Sequence, residues 1–353
     1  MAKTLKVGII GVGGIAGAHF PGWNESPLAE MAAFSDLNPE VLANVAKAQG
    51  VKKTYEKPED LIADKSLDII DICTPNMYHA PLAIAAMKAG KHVICEKPLA
   101  PTPADIKKMI ETRNKTKKLL MTAQHFRWNP NAKALKAEVD TGRLGDIYHA
   151  RSWMLRRSGA PTRIGFIQKK HAGGGPCIDI GVHILDLTLW MMGFPKPVAV
   201  SGITQNKLSQ LPGAFSNWGG PIPQDIWDVE EFAGAMVRFE TGATLILEVA
   251  WLLNHKSGPG EDMQMWLYGD KGGSHWPSNE LLWTDNKTQQ HFNAQLQNEP
   301  KGPEAHAAEC ITFAECVANK LPSPVPAEQS LDVLTILDAL YRSSEAKAEV
   351  RLD

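Results

Sequence analysis

Asp179 and His183 stand four residues apart in the run Gly173-Gly174-Gly175-Pro176-Cys177-Ile178-Asp179-Ile180-Gly181-Val182-His183, a spacing that on a helix puts carboxylate and imidazole on one face. A carboxylate beside an imidazole orients the ring and raises its pKa, while a nearby ammonium lowers it. Together these influences suit a general base that works near neutral pH. Taken alone, the pair is better explained by an aspartate that caps the helix and a histidine satisfied in the core, because Ile184, Leu185, Leu187, Leu189 and Trp190 follow it. A second candidate is Lys97, in His92-Val93-Ile94-Cys95-Glu96-Lys97-Pro98. The proline stops the apolar strand and disfavours helical backbone at Lys97, which is therefore expected at the strand's carboxyl end, where open parallel sheets bind ligands.

A third group, Gly11-Val12-Gly13-Gly14-Ile15-Ala16, follows the first apolar run directly and opens a helix. Glycines let a backbone turn tightly and approach a pyrophosphate, whose charge then rests on the helix's free N–H groups. Asp36 lies 20 residues beyond Ala16, where a carboxylate accepts hydrogen bonds from an adenosine ribose. Leu37 and Asn38, rather than Arg or Lys, follow it, so a 2′-phosphate would meet an uncompensated carboxylate and NAD is preferred over NADP.

The elements that must position these groups fall into two patterns. Residues 1–123 alternate short apolar runs (Leu5 to Ile10, Glu30 to Ser35, Ile69 to Cys73, His92 to Cys95, Leu119 to Thr122) with helical patterns (Gly14 to Trp23, Pro39 to Gln49, Pro58 to Ala63, His79 to Ala89, Pro103 to Lys115). That alternation predicts an α/β Rossmann domain with a doubly wound parallel sheet. Residues 124–353 predict an α+β domain with a large, mainly antiparallel sheet: a helix Pro130 to Asp140, a strand Asp146 to Leu155, a long apolar helix from about Pro176 to Met192, and strands at Val198 to Thr204, Glu230 to Phe239, Thr244 to Trp251 and Met263 to Tyr268. Pro212 to Trp227 reads as a long loop, and helices near Pro303 to Asn319 and Glu328 to Ala346 close the chain, the last a candidate to pack back on the first domain.

The chain has 353 residues, 44% apolar and 22% charged, with a formal net charge of −2, so nothing recruits nucleic acid or an anionic membrane. Its five cysteines form no CxxC pair and sit mostly in apolar runs, which fits reduced thiols in a cytoplasmic protein and argues against a structural zinc site; no metal is expected. No apolar run is long enough to cross a membrane, and the first strand leaves no room for a leader.

Gly11 to Ala16, Thr74-Pro75-Asn76 with His79, Glu96-Lys97-Pro98 and the run Gly173 to His183 together resemble the glucose-fructose oxidoreductase / inositol dehydrogenase / MocA family of NAD(P)-dependent oxidoreductases. The resemblance implies a catalytic group of Lys97, Asp179 and His183 and hydride transfer between nicotinamide and a secondary alcohol carbon. It further implies cofactor contacts from Gly11, Gly13, Gly14, Ile15, Ala16, Asp36, Thr74, Pro75, Asn76, His79, Glu96, Lys97, Gln124 and Arg127, although a helix-start role suits His79 equally well. For the substrate, a sugar, glycoside or cyclitol, the candidates are Lys97, Arg127, Trp153, Arg156, Asp179 and His183, with Arg157, Asp228 and His255 behind them; tryptophans in β-rich domains more often serve packing. A homodimer or homotetramer through the second domain's sheet is expected. Two rivals share these motifs: a glycosidase that oxidises its sugar transiently with retained NAD, and a non-catalytic dinucleotide sensor.

Overall fold

The protein's computed structural model describes residues 4–256 and 260–352. The chain forms two compact units: Met1–Trp128 with Gly302–Leu331, and Asn129–Lys301 with Asp332–Asp353. The expected division at 123/124 thus lies five residues ahead of the first crossing, and the chain returns to the first unit near its end.

In the first unit, β1 (Leu5–Ile10), β2 (Ala29–Ser35), β3 (Lys53–Tyr55), β4 (Ile69–Ile72), β5 (His92–Glu96) and β6 (Leu120–Ala123) form one parallel sheet in the order β3-β2-β1-β4-β5-β6. Its central strands are apolar on both faces, with Val7, Ile9, Ile69 and Ile94 fully buried, as a sheet covered by helices on both sides demands. The covering helices are α1 (Ala16–Glu25), α2 (Pro39–Gln49), α3 (Pro58–Ala63), α4 (His79–Lys88) and α5 (Pro103–Thr116). Local chemistry sets their ends. Asn38 accepts the Glu40 and Val41 amides ahead of Pro39, Thr102 accepts the Asp105 amide ahead of Pro103, and Gly50 closes α2 in the left-handed region at φ 71°. The order reverses between β1 and β4, which places the turn after β1 at the switch point where such sheets bind ligands. β3, a strand of three exposed or half-buried residues, is absent from the expected set because it carries no apolar run. The helix Ala305–Asn319 completes this unit, burying Cys310, Phe313 and Ala314 in the same core as Phe20 and Trp23.

The second unit opens with α6 (Pro130–Asp140) and β7 (Ile147–Leu155), followed by short turns α7 (Ile164–Ile167), α8 (Lys169–Ala172) and α9 (Pro176–Asp179), then α10 (Gly181–Met192). The strands β8 (Pro197–Gln205), β11 (Phe232–Phe239), β12 (Thr244–Ala250), β13 (Asp262–Gly269), β14 (Gly273–Trp276), β15 (Glu280–Asp285), β16 (Gln290–Gln295) and β17 (Val350–Arg351) join β7 in a nine-stranded sheet. All pairings within it are antiparallel except β12 with β7. On β7, Ala150, Ser152 and Met154 point to the buried face, while Arg151 and Trp153 point the other way.

Three expectations change here. The helix foreseen from Pro176 to Met192 is two pieces that meet at Ile180 (φ −110°, ψ −26°), just ahead of the weak helix former Gly181. The Pro212 to Trp227 loop contains a small hairpin, β9 (Phe215–Ser216) with β10 (Gly220–Pro221). The closing helices α11 (Ala305–Asn319) and α12 (Ala327–Ala346) are present, but the division between units falls within α12 at Leu331, and it is α11 that lies wholly in the first unit.

Candidate active site

In the first unit, β1 is followed by Gly11 at φ 82°, where a Cβ would stand 2.7 Å from the Cys73 carbonyl oxygen; both facts require glycine. At Gly13 and Gly14 a Cβ would meet nothing within 4 Å, so open space lies against the backbone just ahead of α1. Asp36, at the end of β2, braces this turn: one carboxylate oxygen accepts the Val12 amide at 3.0 Å and the other accepts Asn38 at 2.9 Å. Each oxygen keeps a lone pair for a ribose hydroxyl. Gly11, Gly13, Asp36, Thr74 and Pro75 line a cavity of about 520 Å³ beside these strand ends, and Lys57 and Glu59 line it with opposite charges. The Thr74 hydroxyl and the Gln124 side-chain amide are buried with no hydrogen-bond partner among the described residues. Open glycine backbone, an anchored carboxylate and orphaned buried donors fit a dinucleotide.

Several of the expected cofactor residues make hydrogen bonds within the protein. His79 is fully buried between the loop after β4 and the Lys97-Pro98 turn, with Nδ1 2.8 Å from the Pro98 carbonyl and Nε2 2.8 Å from the Thr74 carbonyl; the neutral ring donates to one of the two. Burial holds its pKa below the usual histidine range. Arg127 is buried and donates to Gln329 Oε1 at 2.7 Å and to the Pro324 carbonyl, which fastens the returning segment. Glu96 is also turned inward: one oxygen lies 2.9 Å from His19 Nε2 and the other accepts the Lys97 amide at 3.0 Å. Asn76 begins a single 3-10 turn, Asn76–Tyr78, after Pro75. Lys97 is half-buried directly after β5, at the carboxyl end of the sheet as expected.

Beneath these residues lies a charged network that sequence reading missed. His19 sits between two carboxylates, with Nδ1 3.0 Å from Asp71 and Nε2 2.9 Å from Glu96, and Asp71 also accepts Trp23 Nε1 at 2.8 Å. Burial opposes a charge on His19, but the Asp71 carboxylate overcomes it and the pKa is raised well above the histidine range. Burial likewise opposes ionisation of Glu96, yet the hydrogen bond and charge of His19 bring that carboxyl down to about 2. Glu309, wholly buried with neither oxygen hydrogen-bonded among the described residues, has its carboxyl pushed the other way, upward, by burial. His125 and His306 stack at 3.7 Å with planes 19° apart. His125, His306 and Glu309 bring one potential ligand atom each within 4.8 Å of one another.

In the second unit, the Gly173-to-Gly175 run is shaped by packing. A Cβ on Gly174 would lie 2.0 Å from the Tyr341 hydroxyl, and one on Gly175 would lie 2.1 Å from the Glu230 carbonyl oxygen. The Glu230 carboxylate accepts the Gly175 and Cys177 amides at 3.0 and 3.1 Å and the Tyr341 hydroxyl at 2.8 Å, capping α9 from outside the run. Asp179 ends α9 and His183, 6% exposed, lies in the first turn of α10, so the pair does not share one regular helix. Asp179 Oδ2 accepts Trp251 Nε1 at 3.2 Å and stands 3.9 Å from the Arg156 guanidinium. Arg156 is itself bonded to Glu261 and to the Gly159 carbonyl.

Of the substrate candidates in this unit, Arg156 thus joins Asp179, whereas Trp153 does not. Trp153 faces away from the buried side of the sheet and donates to Asp262 at 3.0 Å, the same carboxylate that contacts His255 at 2.9 Å. Asp228 accepts the Lys169 amide and caps α8. The missed residues Glu230, Trp251 and Tyr341 carry no motif; only folding brings them to the glycine run.

Fold and site together define an oxidoreductase with a dinucleotide-binding Rossmann domain. The chain matches the oxidoreductase family with an NAD-binding Rossmann fold over residues 5–124 and the GFO/IDH/MocA C-terminal domain over residues 132–275, and it belongs to that family. It is 30% identical to D-glucoside 3-dehydrogenase of Escherichia coli (strain K12), covering 99% of this chain and 98% of that one. It is 26% identical to myo-inositol 2-dehydrogenase of Thermotoga maritima, with 99% of each covered. A levoglucosan dehydrogenase in complex with NADH has the same fold, at a TM-score of 0.87 and 23% identity, over 99% of this chain and all of that one. NAD is the cofactor of this domain.

Proposed function

We propose that the protein oxidises a secondary alcohol of a pyranose, glycoside or cyclitol ring with NAD. The observation that carries this reading is the carboxylate–guanidinium pair Asp179–Arg156, held by Trp251 and Glu261 immediately ahead of the buried His183. Relatives named for glucosides and inositol support the ring substrate. Bound NAD supplies the nicotinamide carbon that takes the hydride. His183 takes the hydroxyl proton, Asp179 orients His183 and meets the substrate, and Lys97 donates a hydrogen bond to the reacting oxygen and stabilises its developing charge. Gly13, Gly14, Asp36, Thr74 and Gln124 hold the dinucleotide.

The protein is proposed to work in the cytoplasm as a homodimer or homotetramer through the large sheet. Five buried free thiols, and the half-exposed Ile203 in a shallow groove with Phe232 and Met236 on that sheet, support this. No helix among the described residues is long and apolar enough to cross a membrane.

The test is absorbance of reduced nicotinamide on mixing the protein with NAD or NADP and a panel of free sugars, glycosides, inositols and sugar lactones. Accumulation of NADH with one ring class is the expected result. Aglycone release without net NADH would replace the reading with a redox-cycling glycosidase, and silence across the panel would favour a dinucleotide sensor.

A further inference from the structure

The backbone around Lys97 is held on both sides. Its amide donates to one oxygen of the Glu96 carboxylate at 3.0 Å, and the carbonyl of the next residue, Pro98, lies 2.8 Å from His79 Nδ1. The other Glu96 oxygen lies 2.9 Å from Nε2 of the fully buried His19 on α1. Across the ring, Nδ1 is 3.0 Å from Asp71 in the middle of β4, and the same Asp71 oxygen accepts Trp23 Nε1 at 2.8 Å. An unbroken path of polar contacts thus runs from the Lys97 amide to the centre of the parallel sheet.

A neutral imidazole has one N–H and an ionised carboxylate only accepts, so a ring set between two carboxylates serves both only as an imidazolium. Burial opposes that charge, but the Asp71 carboxylate raises the His19 pKa well above the histidine range, in agreement with the geometry. The third acid beside the ring, Glu309 at 3.8 Å, is pushed toward its neutral form by burial, which leaves the ring to Asp71 and Glu96. Stability alone does not account for such a triad, because buried ions exchanged for apolar side chains of similar volume often cost nothing. His19's buried neighbours on α1, Ala16, Phe20 and Trp23, are largely apolar, so an apolar side chain suits that face. What the charged ring adds is direction: with one oxygen held by His19, the Glu96 carboxylate keeps the other on the Lys97 amide. We propose that His19 is a positioning residue for Lys97, holding Glu96 on the Lys97 amide and so fixing the point from which the lysine side chain reaches the reacting oxygen. This rests on the reading of Lys97 given above and deepens it by naming the residue that sets its place.

Steady-state kinetics of wild type, His19→Gln, Asp71→Asn, their double variant and Lys97→Met, with NAD and a ring that the wild type oxidises, test the role. His19→Gln is expected to lower kcat roughly 10–100-fold, the scale of a group displaced by about 1 Å, while the dissociation constant for NAD stays within about twofold. Asp71→Asn lowers kcat in the same direction, and the double variant is no slower than His19→Gln, because both act through one carboxylate. Wild-type kcat in His19→Gln, or losses that add in the double variant, overturns the role; if His19→Gln does not fold, the isosteric Asp71→Asn decides by its own kcat. Wild-type turnover in Lys97→Met instead sinks the reading of Lys97 itself. Amide hydrogen exchange decides the clamp without a substrate. The Lys97 amide is expected to exchange about tenfold faster in His19→Gln than in wild type, with the Ile9 amide at the centre of the sheet unchanged. Equal rates at Lys97, or an equal acceleration at Ile9, overturn the proposal whether or not a ring is oxidised.

Discussion

Gly13 and Gly14 stand against open space, whereas Gly174 and Gly175 are enclosed by Tyr341 and Glu230. Both runs follow the same local recipe, a glycine-rich turn that starts a helix, and composition cannot tell them apart. The first leaves open space against its backbone at Gly13 and Gly14. The second is glycine-rich because the protein itself approaches the backbone, and the approach fixes where Asp179 and His183 begin. One turn is proposed to recognise a ligand; the other is shaped by the protein's own packing.

His183→Ala gives the largest effect expected from the second turn. Removing the proposed general base should lower kcat by roughly 10²–10⁴-fold while the dissociation constant for NAD, from fluorescence titration, is unchanged. Wild-type turnover in this variant would remove the reason for the turn's precision.

Alanine at each glycine sharpens the contrast itself. Gly175→Ala forces a methyl against the Glu230 carbonyl and should cost about 1–3 kcal/mol in chemical denaturation, with turnover falling alongside. Gly13→Ala should leave stability within about 0.5 kcal/mol and raise KM for NAD instead. Were the two variants to exchange phenotypes, the distinction between an open and an enclosed turn would be lost.

The smallest effect concerns the charges beneath the first turn. Burial raises the Glu309 carboxyl, so the folded protein keeps a proton that the unfolded chain releases above about pH 4.3. Stability therefore declines with rising pH from that value toward the folded-state pKa. Glu309→Gln removes the decline, and its melting temperature should gain on the wild type between pH 5 and pH 8. Parallel curves for the two proteins would show that Glu309 is ionised in the fold.

Much of the first unit is legible from residue types because its signals are local. Strand, glycine turn, helix, strand and acid occur in the order in which β1, Gly11 to Ala16, α1, β2 and Asp36 follow one another. In the second unit, β14, β15 and β16 went unforeseen, since half-exposed strands of mixed composition lack the alternation that reveals an edge. His79, Glu96 and Arg127 occupy the expected places on the chain but face protein atoms, a matter of side-chain direction that spacing does not encode.

By itself the sequence determined the parallel sheet, the glycine turn with Asp36, Lys97 at a strand end and the Asp179 to His183 run, because apolar period, turn chemistry and proline act on neighbouring residues. Only the tertiary structure decided that the helix breaks at Ile180, that Glu230 and Tyr341 close around Gly174 and Gly175, that His19 is clamped between Asp71 and Glu96, and that Trp218 lies over Arg156. Those contacts join residues 52 to 167 positions apart wherever they fix a buried charge or an enclosed turn, and at such separations only the packing of whole elements sets the distance.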